Sequence, residues 1–204
     1  MPMHWTQAFL AVSLIGYLAV FATVLFLVKR STAANPRGHD GGHHLAAVLN
    51  SVASLLLLLT AAAYPLDART VTWFGRISPL DHPIFQAAAA AILALSGLCL
   101  VWGSVSLGNS FRVALPECRL PLVTHGIYRF VRNPLALSAN LLALSVLLMA
   151  PSWLAMVSFL LNAISYEWKI RIEEAYLHQT HGAAYTAYCA RTGRYLPRSF
   201  QRDG

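Results

Sequence analysis

The chain has 204 residues, 57% of them hydrophobic and 11% charged, with a mean hydropathy of +0.54. Such a composition excludes an ordinary soluble domain and makes lipid the principal solvent of the chain. A net charge of +7 fits an anionic membrane surface, and the distribution of the basic residues described below accounts for it without a nucleic-acid partner.

Five stretches read as membrane-buried helices of a single all-α integral membrane domain covering residues 1–204. The first is Trp5 to Val28. No basic residue precedes it and Lys29-Arg30 follow as a stop-transfer pair, which predicts a retained span in place of a cleaved signal peptide. The stretch that follows, "NPRGHDGGHHL" at 35–45, holds His39, Asp40, His43 and His44. These are metal-ligand types, but their Gly-rich spacing fixes no geometry, so it reads as a flexible connection and no metal is expected. Leu45 to Tyr64 and Phe85 to Gly103 are the second and third spans, each near the roughly 20 apolar residues that crossing requires. Leu135 to Met149 is a short fourth, and Trp153 to about Ile170 a fifth. Pro151-Ser152 between the last two predicts a tight turn and therefore a hairpin.

Cys99, Cys118 and Cys189 are far apart and form no CxxC pair, which predicts reduced packing residues. Of the fifteen Lys and Arg residues, only Arg69 and Arg76 fall between the second and third spans. The other thirteen fall in the first and third connections and the C-terminal segment, so the positive-inside rule puts the N-terminus outside and the C-terminus in the cytoplasm.

Polar residues collect on that same inner side, in 35–45, in "LGNSFRVALPECRLPLVTHGIYRFVRNP" at 107–134, and in "YEWKIRIEEAYLHQTHGAAYTAYCARTGRYLP" at 166–197. A connection of some thirty residues is long enough to be functional, and its aromatic and apolar content argues against disorder. At its end Asn133-Pro134 has the form of a helix start, Asn as N-cap and Pro at the first position. Arg129 and Arg132 beside it either strengthen a helix-terminal anion site or anchor the chain at the inner surface. On a helix leaving the fifth span, Glu167, Arg171, Glu174 and His178 share one face, with Glu173 alongside. They fit a solvated helix end held by salt bridges as well as a site, although Asn140 and Asn162 within the hairpin point to a protein interior or a wet cavity. Tyr185 and Tyr188 can stack on a flat heterocycle or lie at the headgroup level.

Taken together, "LVTHGIYRFVRNPLALS" and, after the hairpin, "RIEEAYLHQTHGAAYTAYCARTGRYLP" resemble the C-terminal signature of the isoprenylcysteine carboxyl methyltransferase and phospholipid methyltransferase superfamily. The elements in order are Gly126, Tyr128, Arg132, Asn133 and Pro134, preceded by His125, then Glu173, Glu174, Gly182, Tyr185, Tyr188, Arg194 and Pro197. The resemblance covers roughly the C-terminal half and implies an integral-membrane enzyme that moves a methyl group from S-adenosylmethionine to a lipophilic acceptor. The acceptor classes it implies are an isoprenylcysteine-like carboxylate, a lipid amine or a small thiol.

On that implication residues 1–103 are three N-terminal spans and residues 104–204 are the cofactor-binding catalytic half. The cytoplasmic site is then built from the loop before the fourth helix and the helical tail. Arg132 and the amides around Asn133 are expected to take the cofactor carboxylate, Glu173 or Glu174 a ribose hydroxyl or the ammonium, and Tyr185 with Tyr188 the adenine. His125, Gly126, Tyr128, Pro134 and Arg194 complete the expected cofactor contacts. Glu167, Glu174 or His178 is available as a base, and Arg171 or Arg194 to hold an acidic acceptor. Two positions depart from the pattern: Asn133 stands where many relatives have His, and Ala136 where many have Tyr, so no mechanism that needs a titrating group at 133 applies here. Two other classes remain compatible with the residues: a small transporter lined by Asn140, Asn162 and Glu167, and a non-enzymatic relative that binds a lipid or partner. A bacterial inner membrane and an endoplasmic reticulum suit the chain equally.

Overall fold

The structure is a computed structural model that describes residues 41–67, 69–107 and 121–198, together with Ala8, Ala11, Val12 and Ile15. Those four are helical, in keeping with the expected first span, whose other residues lie outside the described ones. So do 35–40 and 108–120, which include His39, Asp40, Arg112, Cys118 and Arg119. Among the described residues the regular structure is entirely helical.

Four long helices run up and down. α1 (Gly41–Leu66) begins within the connection expected at 35–45. After it come a single turn, α2 (Thr70–Trp73), and α3 (Pro83–Leu107). α4 (Pro134–Met149) and α5 (Trp153–His181) form the expected hairpin, and a short α6 (Ala183–Arg191) follows. The turn between α4 and α5 is fixed by Ser152, whose hydroxyl accepts from the Ala155 amide at 3.3 Å as an N-cap.

α1 and α3 are each long and apolar enough to cross a membrane, over Leu45–Leu66 and Pro83–Leu107. Only 28% of either apolar window is buried inside the protein. Leu55, Ile84, Leu98 and Val105 point outward, as lipid-facing side chains do and the core of a soluble protein does not. α4, with 16 residues, is short as expected. α5 has 29 residues and so extends roughly 44 Å at 1.5 Å per residue, well beyond an apolar layer of about 30 Å. Its emergent end carries Glu167, Arg171, Glu173, Glu174 and His178.

Small polar residues set the interhelical contacts. Ser96 and Ser138 exchange reciprocal bonds between α3 and α4, each hydroxyl donating to the other's carbonyl at 2.8 and 2.9 Å. Ser158 of α5 donates to the Ala53 carbonyl of α1 at 2.8 Å. Such contacts let backbones approach closely where lipid offers no competing hydrophobic force. At one end of the bundle the connection between α1 and α3 is stitched to the α4–α5 turn, Ile77 N to Pro151 O and Trp153 N to Gly75 O. Leu57, Ala61, Tyr64, Leu93, Val146 and Met149 pack beneath it as the main apolar core. The opposite end holds a 3-10 turn, Gly126–Arg129, the start of α4 and the tail, and there the polar chemistry collects.

Candidate cofactor and catalytic site

Gly126 starts this region. Its φ of +59° lies in the left-handed region, and a Cβ there would meet Ser106 Oγ at 2.1 Å, so the chain can turn against α3 only with glycine. The 3-10 turn that follows buries Ile127 and Tyr128 against Cys99 of α3 and leaves His125 and Arg129 exposed.

The chain then meets its own tail. Val131 and Gly193 form an isolated parallel bridge, with Arg132 N donating to Gly193 O at 2.9 Å and Asn133 N to Arg194 O at 3.2 Å. Gly193 is required for a second reason of space, since a Cβ on it would collide with the Leu196 carbonyl. The backbone thereby brings Arg132, Asn133 and Arg194 to one point above the emergent part of α5.

Glu174 is the hub. Its Oε1 accepts from Arg132 Nε at 3.2 Å, Arg194 Nε at 3.4 Å and Asn133 Nδ2 at 3.5 Å, and its Oε2 from Arg194 Nη2 at 2.5 Å. Burial alone would raise its pKa; the bond from Arg194 and the field of Arg132 outweigh that and hold the carboxyl below its ordinary range. Arg194 also reaches Glu167 Oε1 at 2.8 Å, and the Tyr195 hydroxyl donates to Glu167 Oε2 at 3.1 Å. Burial first, and then that bond, push the Tyr195 phenol up to about 12. Arg132 further donates through Nη1 to the carbonyls of Thr192, at 2.5 Å, and Cys189, at 3.4 Å.

Of the residues expected in the site, Arg132, Asn133, Glu167, Glu174 and Arg194 are therefore in one connected network, and Pro134 begins α4 directly below it. Arg171 joins only at the rim: it pairs with Glu167 at 3.0 Å, but its side chain is 72% exposed. Glu173 is exposed on the neighbouring face of α5. The two tyrosines differ from the open stacking walls expected of them. Tyr185 and Tyr188 are 1% and 5% exposed. Tyr188 donates to the Tyr128 carbonyl at 2.6 Å, and Tyr185 sits edge-on to His178 with ring centroids 4.7 Å apart. Their rings are thus packing beneath the ion pairs, because α6 folds back at Gly182, whose φ of +51° ends α5. Asn133 occupies the N-cap position but makes no side-chain cap; its amide turns to Glu174 instead. Sequence reasoning passed over Tyr195, Gly193 and the Thr192 carbonyl. The run "TGRYLP", a glycine and a proline bracketing a polar aromatic, is the only signal that marks them.

The donor set suits a small zwitterion. Arg132 Nη2 has no partner among the described residues. The first-turn amides of α4 lack the side-chain acceptor that an N-cap normally supplies, which leaves two kinds of donor for a carboxylate. Glu174 and Glu167 offer acceptors for an ammonium or a hydroxyl.

Residues 84–184 match the family described as phospholipid methyltransferase, a stretch that takes in α3, α4, α5 and the start of α6. No protein of curated function matches the chain.

Proposed function

Because the chain belongs to the superfamily of isoprenylcysteine and phospholipid methyltransferases, a family of membrane methyltransferases, we propose that it transfers a methyl group from S-adenosylmethionine to a lipophilic acceptor at the cytoplasmic face of the membrane. The observation that carries this reading is the Glu174 hub. One carboxylate gathers a guanidinium from the loop before α4 and another from the tail, at the first turn of α4.

In this reading five spans cross the membrane, with α1, α3, α4 and the first half of α5 as the second to fifth, and the Arg-rich end faces the cytoplasm. S-adenosylmethionine, when bound, supplies a methyl group activated by a sulfonium. Arg132 and the α4 amides hold the cofactor carboxylate, while Glu173 and Glu174 accept from the ammonium or ribose hydroxyls. His125, Gly126 and Tyr128 shape the loop wall of the pocket, and Tyr185 and Tyr188 support it from within. Arg171 and Arg194 are placed to hold an acidic acceptor, and Glu167, Glu174 or His178 to take a proton from an amine. Methyl transfer asks chiefly for alignment and exclusion of water. The polar network at the mouth of an apolar bundle supplies both, because a water-soluble cofactor and a membrane-dissolved acceptor meet where the helices emerge.

The test is calorimetric binding of S-adenosylhomocysteine to the detergent-purified protein and to its Glu174→Ala variant. Micromolar binding by the former, weakened at least tenfold in the latter, is expected; no binding by a folded protein overturns the proposal.

A further inference from the structure

Below the ionic network lies a second polar group, uncharged and inside the apolar part of the bundle. Asn162 of α5 donates from Nδ2 to Asn140 Oδ1 of α4 at 2.9 Å. One turn on, Ser165 donates to the Asn162 carbonyl at 2.9 Å, and its hydroxyl lies 3.4 Å from Asn50 Oδ1 of α1. Three helices thus contribute carboxamides to one chain of polar contacts, Asn140 to Asn162 directly and Asn50 through Ser165. Asn162 is 6% exposed, while Asn50 and Asn140 are only half-buried.

The cluster is not internally satisfied. A carboxamide pair joined by a single bond keeps N–H groups and a carbonyl for a third party. The side-chain NH2 groups of Asn50 and Asn140 and the side-chain Oδ1 of Asn162 have no partner among the described residues. Three asparagines at membrane depth with spare capacity go beyond interhelical adhesion, for which the one Asn140–Asn162 bond would suffice.

Depth points to the ligand. Asn162 precedes Glu167 by five residues of continuous helix, or roughly 8 Å at 1.5 Å per residue, and Asn140 is a similar distance into α4 from Pro134. The polar zone of one leaflet is itself roughly 5–8 Å thick. A lipid whose head lies against the Glu167 side of the ionic network therefore brings its acyl linkages to the asparagines. Spare amide N–H groups, with no cation among the cluster's own residues, suit a neutral carbonyl better than a carboxylate or phosphate.

We propose that the spare NH2 groups of Asn50 and Asn140, the latter held in place by Asn162, form a binding site for the ester carbonyls of a diacyl lipid acceptor, so that the protein selects its acceptor by the linkage as well as by the head. This rests on the methyltransferase reading for the role of the lipid, though not for its binding.

The experiment is native mass spectrometry of the detergent-solubilised protein with dioleoyl phosphatidylethanolamine in competition with its dialkyl ether counterpart. The two share a head and chains and differ in the carbonyls alone. The expected preference is about five- to tenfold for the ester, the scale of two modest hydrogen bonds inside a membrane. In Asn162→Leu and in the double variant Asn140→Leu/Asn162→Leu, which leaves neither partner orphaned, the preference falls below about twofold while S-adenosylhomocysteine affinity holds. Equal retention of the two lipids by the wild type, or an ester preference that survives the double variant, overturns the site. Loss of S-adenosylhomocysteine binding in the wild type would instead strike the methyltransferase reading and leave this comparison standing.

Discussion

The behaviour of the hub is decided residue by residue. Glu174 is held below its ordinary pKa of 4.5, because its two arginines outweigh the burial that opposes ionisation. A group whose folded pKa is depressed stabilises the fold above its unfolded value and loses that contribution as pH falls through the folded one. Thermal melting in detergent should therefore be flat from about pH 7 to 5 and fall below about 4.5, and Glu174→Gln should flatten that acid limb while lowering the plateau. An acid limb that persists undiminished in the variant would assign it to another carboxylate. Tyr188 offers a cleaner deletion. Its hydroxyl donates to the buried Tyr128 carbonyl at 2.6 Å, so Tyr188→Phe leaves an acceptor orphaned at nearly constant volume, a loss of about 1–3 kcal/mol readable from denaturant unfolding. At Gly126 the constraint is geometric: Gly126→Ala meets both a left-handed φ and Ser106, and should melt well below the wild type. Ser106→Gly in the same chain should recover only part of the loss, because it relieves the contact and leaves the φ.

Elements were legible to different degrees, for physical reasons. The long apolar runs announced α1 and α3, since crossing length depends on composition alone. Pro151-Ser152 announced the hairpin because Ser152 is a working N-cap. The clustering of Arg132 with Glu174 followed from the family pattern and from charges placed at the ends of apolar runs. The Val131–Gly193 pairing had no such periodic or compositional signal. It is a single bridge between residues 62 positions apart, visible only when the chain is folded. The inward turn of Tyr185 and Tyr188 was hidden in the same way, because their spacing of three suits an exposed stack and a buried face equally. The serine pair between α3 and α4 lay within runs that read simply as apolar, yet Ser96 and Ser138 are fully buried and bonded to each other. Ser138→Leu should wedge α3 from α4 and cost more than about 2 kcal/mol by overpacking and by removing the bond that the Ser138 hydroxyl donates to the Ser96 carbonyl. Unfolding in mixed detergent would show it, and a wild-type midpoint would mean that this contact adds nothing to the packing of the two helices.

For the whole molecule, the two ends differ in charge and in architecture together. One end carries Arg69 and Arg76, each beside an aspartate, Asp67 and Asp81, with which it pairs. That end is closed by backbone bonds between the α1–α3 connection and the α4–α5 turn. The other presents Arg129, Arg132, Lys169, Arg171, Arg191, Arg194 and Arg198 around the Glu174 hub. On the proposed reading the end with two arginines lies outside and the end that concentrates the basic residues lies in the cytoplasm, which is the orientation the positive-inside rule favours. On that reading a cytosolic cofactor reaches the hub without crossing the bilayer. A fluorescent protein fused after residue 204 should therefore be bright in bacteria, and an alkaline phosphatase fused there inactive, with the converse for fusions inserted between Phe74 and Ser78. Replacing Asp67 and Asp81 by lysine should erode that bias, because it adds positive charge to the end that now has least. Phosphatase activity at the C-terminal fusion of the unaltered chain would put the hub on the far side of the membrane from its cofactor, and the proposed chemistry would lose its supply.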